Sequence, residues 1–232
     1  MPGSRPGAAA RSRILARSRR AGRSPPLPRP PVSDYLIALI LGIIEGFTEF
    51  LPISSTGHLL IAQHWLGARS DLFNIVIQAG AILAVCLVFR ERLWALATGL
   101  GERANRDYAL KLGVAFLITC VLGFTVSQAG WTLPDTVTPV AWALVIGGFW
   151  ILFAERMTRG KPESSDITWK VAVIVGLAQV VAAVFPGTSR SAATIFAAML
   201  AGATHRPAAT EFAFLVGIPT MFAASGYSLL KY

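Results

Sequence analysis

From Asp34 onward the chain alternates apolar runs with short polar breaks. The runs cover 35–51, 59–66, 73–89, 112–129, 138–154, 171–185, 192–203 and 207–230. A helix needs about 20 apolar residues to cross a bilayer. Several runs approach that length, but two segments, near 53–66 and 187–202, fall well below it. Both are bounded by Pro and Gly, which predicts re-entrant half-helices. Broken backbone at that depth is tolerated only where it is buried in protein or lines a wet cavity. The pattern therefore predicts an all-α, polytopic integral membrane protein with two re-entrant half-helix regions.

The pattern also repeats. Setting Pro52 against Pro186, an offset of 134 residues, puts Gly42 on Gly176, Glu45 on Gln179, Leu51 on Phe185 and Ser55 on Ser189. Each copy is a span, a Pro-marked break, a hydroxyl cluster and a short helix. Interrupted segments at matching positions of two halves point to a binding site at the repeat interface. The first copy continues through 73–89, 112–129 and 138–154, whereas the second has only 207–230 before Tyr232. Two helices of the second copy are expected to be missing.

Composition agrees with a membrane location. Hydrophobic residues make up 54% of the 232 and charged residues 14%, against about 25% charged in soluble domains. The formal charge of +9 is not spread over the chain, because eight of the 21 basic residues are arginines among the first 33, where no acid occurs. The remainder is close to neutral, which argues against nucleic-acid binding. Residues 1–33, rich in Arg, Pro, Gly and Ser, are expected to form a disordered tail, and 34–232 the membrane domain. Ile14-Leu15-Ala16 is too short for a signal-peptide core. The tail reads as a basic arm near anionic lipid, as a tail without function, or, the favoured reading, as the product of a start assigned upstream of Val32 or Ser33. Cys86 and Cys120 lie within apolar runs and read as core residues rather than a disulfide. Trp131, Trp142 and Trp150 read as interfacial anchors.

Basic residues set part of the orientation. Loop 90–111 holds Arg90, Arg92, Arg103, Arg106 and Lys111, loop 155–170 holds Arg156, Arg159, Lys161 and Lys170, and loop 130–137 holds neither Lys nor Arg. The first two are expected in the cytoplasm and the third outside. With one net crossing per span and half-helix, both hydroxyl clusters approach from the outer side.

The chemistry is concentrated at the two breaks. Glu45 and Glu49, four residues apart, share a helix face at a depth where ionisable groups are costly and usually functional. They suit a hard divalent cation, or a general base holding water or a hydroxyl; the competing reading is a pair of bundle-facing acids bonded to polar neighbours. Pro52-Ile-Ser-Ser-Thr-Gly57 reads as a break before a helix N-terminus, where Ser54 or Thr56 would serve as N-cap and the free N–H groups would suit phosphate. Ser55 and His58, three apart, would share a face as a hydroxyl and its base, or as a hydroxyl and a second phosphate contact; a core histidine with satisfied bonds is the alternative. In Pro186-Gly-Thr-Ser-Arg-Ser-Ala-Ala-Thr194, Arg190 among hydroxyls offers bidentate phosphate recognition, against snorkelling to the interface. Gln78 and Gln179 read as interhelical hydrogen-bond partners, and Glu211 as an interfacial residue. Acids for a cation, hydroxyls and an arginine for phosphate, and a membrane location together describe a phosphorylated lipid as substrate or cargo.

Glu45-Gly-Phe-Thr-Glu-Phe-Leu-Pro-Ile-Ser-Ser-Thr-Gly-His58 and Pro186–Thr194 closely resemble the two signature regions of the bacterial undecaprenyl-diphosphate phosphatase family, the bacitracin-resistance type. Phe73-Asn-Ile-Val-Ile-Gln-Ala-Gly-Ala-Ile-Leu-Ala84 and Glu211-Phe-Ala-Phe-Leu215 fit it too, and the resemblance runs from about Asp34 to the end. It implies hydrolysis of the C55 polyprenyl diphosphate to the monophosphate carrier and inorganic phosphate, recycling the lipid for peptidoglycan synthesis. It also implies a divalent cation (Mg²⁺ or Ca²⁺), two re-entrant regions, inverted repeats, and an active site facing outward from the plasma membrane. On that resemblance Glu45 and Glu49 would hold the metal and diphosphate oxygens, with Glu49 as a base. Ser55 is the candidate nucleophile, with a metal-activated water as its competitor. His58 would shuttle the proton and Arg190 would clamp phosphate and stabilise developing charge. Ser189 and Thr194 would bond the diphosphate, beside Ser54, Thr56 and Ser191.

Family members continue for two more helices, matching those the repeat leaves missing. A fragment, a frameshifted product and a chain completed in a homodimer all remain open. A polyprenyl-phosphate flippase would share the repeats and broken helices, but has less need of Ser55 and His58 beside two acids. A degenerate, inactive membrane protein is the third reading.

Overall fold

The computed structural model describes residues 33–129 and 137–231. The expected tail, Trp131 and most of loop 130–137 lie outside those residues. Among the described residues the secondary structure is entirely helical. In chain order the helices are α1 (Asp34–Phe50), α2 (Ser55–Leu66), α3 (Asp71–Val88), α4 (Arg90–Thr98), α5 (Arg103–Gln128), α6 (Val137–Thr158), α7 (Trp169–Val184), α8 (Arg190–Ala201) and α9 (Arg206–Lys231). Helices α3, α5, α6 and α9 are long and apolar enough to cross a membrane. The chain is thus a multi-pass membrane protein.

Hydroxyl residues set the helix starts. Ser33, Ser54, Ser70, Thr168 and Ser189 are the N-caps of α1, α2, α3, α7 and α8, each side chain accepting from a backbone N–H of the first turn. This satisfies donors that a helix start otherwise leaves orphaned. Pro52 and Pro186 fall between helices, in the breaks that follow α1 and α7. Helices α2 and α8 have 12 residues each, a rise of about 18 Å against about 30 Å of hydrocarbon.

The repeat survives as an order of elements. Shifted by 134 residues, α1 falls on 168–184 and α2 on 189–200, within a residue of the bounds of α7 and α8. Helix α2 packs back on α1, and α8 on α7. Helix α8 also meets α6 and α9 and is buried continuously from Ser191 to Met199. Its run Ser-Ala-Ala-Thr-Ile-Phe-Ala-Ala-Met suits that place: small residues let neighbouring backbones approach, which is how helices associate where lipid removes the usual hydrophobic drive. Helix α7 meets α5 as closely, and a Cβ on Gly176 would sit 2.8 Å from the carbonyl oxygen of Ala115. Thr119 bridges the same contact by donating to the Gly176 carbonyl at 3.1 Å.

Residues 90–111, expected as a polar loop, are mostly helical. Arg90–Thr98 forms α4, and α5 begins at Arg103, ahead of the expected 112. Hydrophobic density marks only the lipid-embedded part of a helix, so polar extensions beyond the bilayer escape it. Those extensions are tied down by Glu211 of α9, whose Oε1 accepts from Arg92 Nε at 2.9 Å and from the Tyr108 hydroxyl at 3.2 Å. Arg92 also lies over the Tyr108 ring, 4.6 Å from its centroid. Glu211 is therefore a paired residue joining α4, α5 and α9. Cys86 and Cys120 are both free thiols. Trp142 is exposed, whereas Trp150 is half-buried against the core.

Candidate active site

Helix α1 turns one stripe inward, Ile37, Leu41, Glu45, Thr48 and Glu49. Its other face, including Leu36, Leu39, Ile43 and Phe47, stays exposed and apolar. The stripe is apolar at the start of the helix and acidic near its end, so both carboxylates are buried where the backbone breaks. Glu45 is 2% exposed and Glu49 is 8% exposed.

The break turns the chain sharply. Ser54 has φ +67°, a left-handed conformation that costs a non-glycine residue about 1–3 kcal/mol and tends to occur at functional sites. Its side chain accepts from Gly57 N at 3.3 Å and its carbonyl from His58 Nδ1 at 2.8 Å. A carbonyl only accepts, so this bond fixes the proton of His58 on Nδ1. The turn brings Ser55 back against the end of α1, where its hydroxyl donates to Glu49 Oε2 at 2.6 Å.

The second break is built differently. Gly187 has φ +87°, and a Cβ there would lie 2.8–2.9 Å from atoms of Val140 on α6. Glycine is therefore required twice over, for the turn and for the close approach. Ser189 caps α8, accepting from Ala192 N at 3.2 Å. Ser191 donates to the Leu51 carbonyl at 3.1 Å, joining the two breaks directly. Arg190 opens α8 and pairs through Nη2 with Glu49 Oε1. Its Nη1 reaches the Gly217 carbonyl at 3.5 Å. A Cβ on Gly217 would stand 3.3 Å from Nη1, so that glycine clears room for the guanidinium.

These groups line a polar cavity of about 210 Å³. The repeat is visible in its walls: across the 134-residue offset Thr48 corresponds to Ala182, Glu49 to Ala183, Ser54 to Thr188, Ser55 to Ser189 and Thr56 to Arg190, and all of them line the cavity. The starts of α2 and α8 therefore meet at one space, each offering free N–H groups and a positive dipole end. One wall carries the acid and the other the arginine. Thr188 and Ser189 also border an apolar groove of about 830 Å³ between α6, α7 and α8, lined by Trp142, Ile146, Leu177, Val181 and Phe185 among others.

The residues singled out from the sequence are not all at this cavity. Glu49, Ser54, Ser55, Thr56, Ser189, Arg190 and Ser191 line it. His58 does not, and the hydroxyl of Ser55 is bonded to Glu49 and not to the imidazole. Thr194 is 1% exposed, and its hydroxyl is spent on the carbonyls of Arg190 and Ser191 at 2.8 and 3.3 Å. Gln78, Gln179 and Thr220 line the cavity as well; the pairing of Gln179 with Glu45 in the repeat was the signal that could have marked it.

Among the described residues no group of three or more His, Cys, Asp or Glu forms a ready-made metal cage. Both oxygens of Glu49 are engaged, by Arg190 and Ser55. Glu45 is different: it lies in the field of Glu49 and Arg190, and its buried Oε2 has no hydrogen-bond partner. An unpaired carboxylate oxygen beside a phosphate-type site fits a hard divalent cation of the kind that takes one or two carboxylates and completes its shell with substrate oxygens and water.

The family model described as Bacitracin resistance protein BacA matches residues 38–232. The chain is 70% identical over 200 residues to a protein named undecaprenyl-diphosphatase from Xanthomonas euvesicatoria pv. vesicatoria (strain 85-10), covering 86% of this chain and 76% of that one. It is 68% identical over 198 residues to a protein of the same name from Xylella fastidiosa (strain 9a5c), covering 85% and 76%.

Proposed function

We infer the function of this chain from its family: it belongs to the bacitracin resistance proteins and hydrolyses undecaprenyl diphosphate to undecaprenyl phosphate and inorganic phosphate. The reaction returns a lipid carrier to cell-wall synthesis. The observation that carries the assignment of roles is the chain of contacts from Ser55 through Glu49 to Arg190, drawn from two loops far apart in sequence.

Each residue's role follows from what it touches. Glu49 Oε2 already accepts the Ser55 proton, so it is the base that takes this proton as Oγ attacks the terminal phosphorus. The bond to the bridging oxygen breaks, undecaprenyl phosphate departs, and water then releases phosphate from the serine. Arg190, held by Glu49 beforehand, swings its guanidinium onto phosphoryl oxygens. This supplies charge where charge develops and frees the carboxylate for its role as base. Ser54, Thr56, Ser189 and Ser191 line the space around the phosphates, and the two helix starts add their N–H groups. His58 holds the Ser54 carbonyl and with it the strained turn. Thr194 steadies the first turn of α8.

Glu45, through its unpartnered oxygen, and Glu49, through the oxygen that Arg190 releases on moving to the phosphates, are the residues that would hold Mg²⁺ or Ca²⁺. When bound, the cation offsets the charge of the diphosphate. The short helices α2 and α8 are read as re-entrant, the cavity as facing outward across the bacterial plasma membrane in accord with the loop charges, and the apolar groove as the seat of the isoprenoid tail.

The test is phosphate release from undecaprenyl diphosphate by detergent-purified protein, with Mg²⁺ or Ca²⁺ and then with chelator, alongside Arg190→Ala. Cation-dependent release that collapses in the variant is expected. Folded wild-type protein that binds the lipid and releases no phosphate would overturn hydrolysis.

A further inference from the structure

Gln179 is 2% exposed, and both ends of its amide, Oε1 and Nε2, are buried without a hydrogen-bond partner. An unpaired buried amide costs several kcal/mol in apolar surroundings on the usual transfer scales, so its presence in the wall of the polar cavity calls for a partner. Gln179 lines the cavity together with Glu49, Ser55 and Arg190, so a turn of its side chain brings the amide to that space.

The repeat shows what kind of partner. Along α1 the inward positions near the break are Glu45, Thr48 and Glu49. Their equivalents on α7 are Gln179, Ala182 and Ala183, all of which face the cavity. The first half therefore buries two acids near its break, and the second none: it has a neutral amide, two methyl groups and, past the break, Arg190 at the start of α8. A third carboxylate in place of Gln179 would oppose a polyanion entering beside Arg190. An amide at that place gives two donors and no charge.

We propose that Gln179 is a diphosphate-binding residue, with Nε2 donating to a phosphoryl oxygen beside Arg190 and Oε1 accepting from a water in the same cavity. The proposal rests on the assignment of undecaprenyl diphosphate as substrate. It divides the cavity by function, the α1 wall handling the proton and the α7–α8 wall holding the phosphates.

The test uses the full chain in detergent with Gln179→Met and Gln179→Glu, both close in volume to the parent. Two measurements are made: phosphate release, and direct binding of a methylene-bridged, non-hydrolysable undecaprenyl diphosphonate. For Gln179→Met the thermal midpoint holds or rises, since an unpaired amide leaves the core, while KM and the diphosphonate dissociation constant rise by about tenfold or more. For Gln179→Glu binding weakens further. A purely structural amide would give the opposite pattern, unchanged binding with altered stability, and that result in either variant overturns the proposal. Failure of hydrolysis itself reads differently, as tight diphosphonate binding by wild-type protein without phosphate release.

Discussion

Arg190 and Glu49 stand 141 residues apart in sequence and form an ion pair across the polar cavity, with side-chain exposures of 20% and 9%. A pair so withdrawn from water is held by mutual compensation: each charge is tolerated because the other is present. The substrate's phosphates can take the place of Glu49 for Arg190, while Glu45 adds a second negative charge near the guanidinium without a hydrogen bond to it.

Removing one partner should therefore act on fold and turnover differently. Glu49→Ala strands Arg190 and is expected to destabilise the protein by about 3–5 kcal/mol, seen as a lower midpoint of thermal unfolding in detergent. Glu49→Gln keeps a bond to Ser55 and loses the base, so phosphate release should fall by about a hundredfold or more with a smaller change in midpoint. Equal turnover in Glu49→Gln and wild type would remove Glu49 from the chemistry.

Ser55 can be examined by trapping. Acid-quenched enzyme during turnover should carry phosphate on Ser55, detected by mass spectrometry of the peptide spanning the first break. Ser55→Ala should lose turnover by about a hundredfold or more. An unlabelled peptide together with substantial activity in Ser55→Ala would point instead to direct attack by water, with Glu49 still as base.

For His58 the two roles part on a conservative change. Asparagine places an amide N–H near the position of Nδ1 but cannot relay a proton. If the imidazole acts by holding the Ser54 carbonyl, His58→Asn retains turnover within about tenfold while His58→Ala loses more. Equal loss in both variants would restore the proton-transfer role.

Two glycines should fail in distinct ways. Gly187→Ala forces a left-handed alanine, at about 1–2 kcal/mol, into contact with Val140, so the main expected effect is a lower thermal midpoint. Gly217→Ala meets only the end of a flexible side chain, that of Arg190. Its midpoint should stay near wild type while KM for the lipid diphosphate rises. Measuring both quantities on both variants checks the contrast.

The sequence was most legible where depth and period act together. Glu45 and Glu49 at helical spacing after an apolar run could face only inward, and both are buried on one stripe of α1. The run read at 171–185 ends within a residue of α7, the short segment near 187–202 brackets α8, and the two prolines paired by the repeat both fall in breaks. Contacts across the breaks were not legible, because helical spacing does not hold through a left-handed turn. It suggested His58 as the partner of Ser55, whereas the turn at Ser54 returns Ser55 to Glu49. Thr194 was read by its hydroxyl alone, yet inside a buried helix a threonine hydroxyl bonds the preceding turn. Arg92 and Tyr108 were missed as partners of Glu211 because the helices that carry them extend beyond the apolar runs.

The apolar groove that borders the cavity at Thr188 and Ser189 changes what concentration means for this enzyme. Its walls at Trp142, Ile146, Val181 and Phe185 are open to the surroundings of the bundle, so with the isoprenoid seated there as proposed, the substrate would reach the catalytic groups by sliding sideways without leaving the bilayer. Encounter is then a search in two dimensions, governed by the mole fraction of substrate among the surrounding lipids or detergent. Diluting the membrane with inert lipid slows such an enzyme, while diluting the whole suspension with buffer leaves its rate per molecule unchanged.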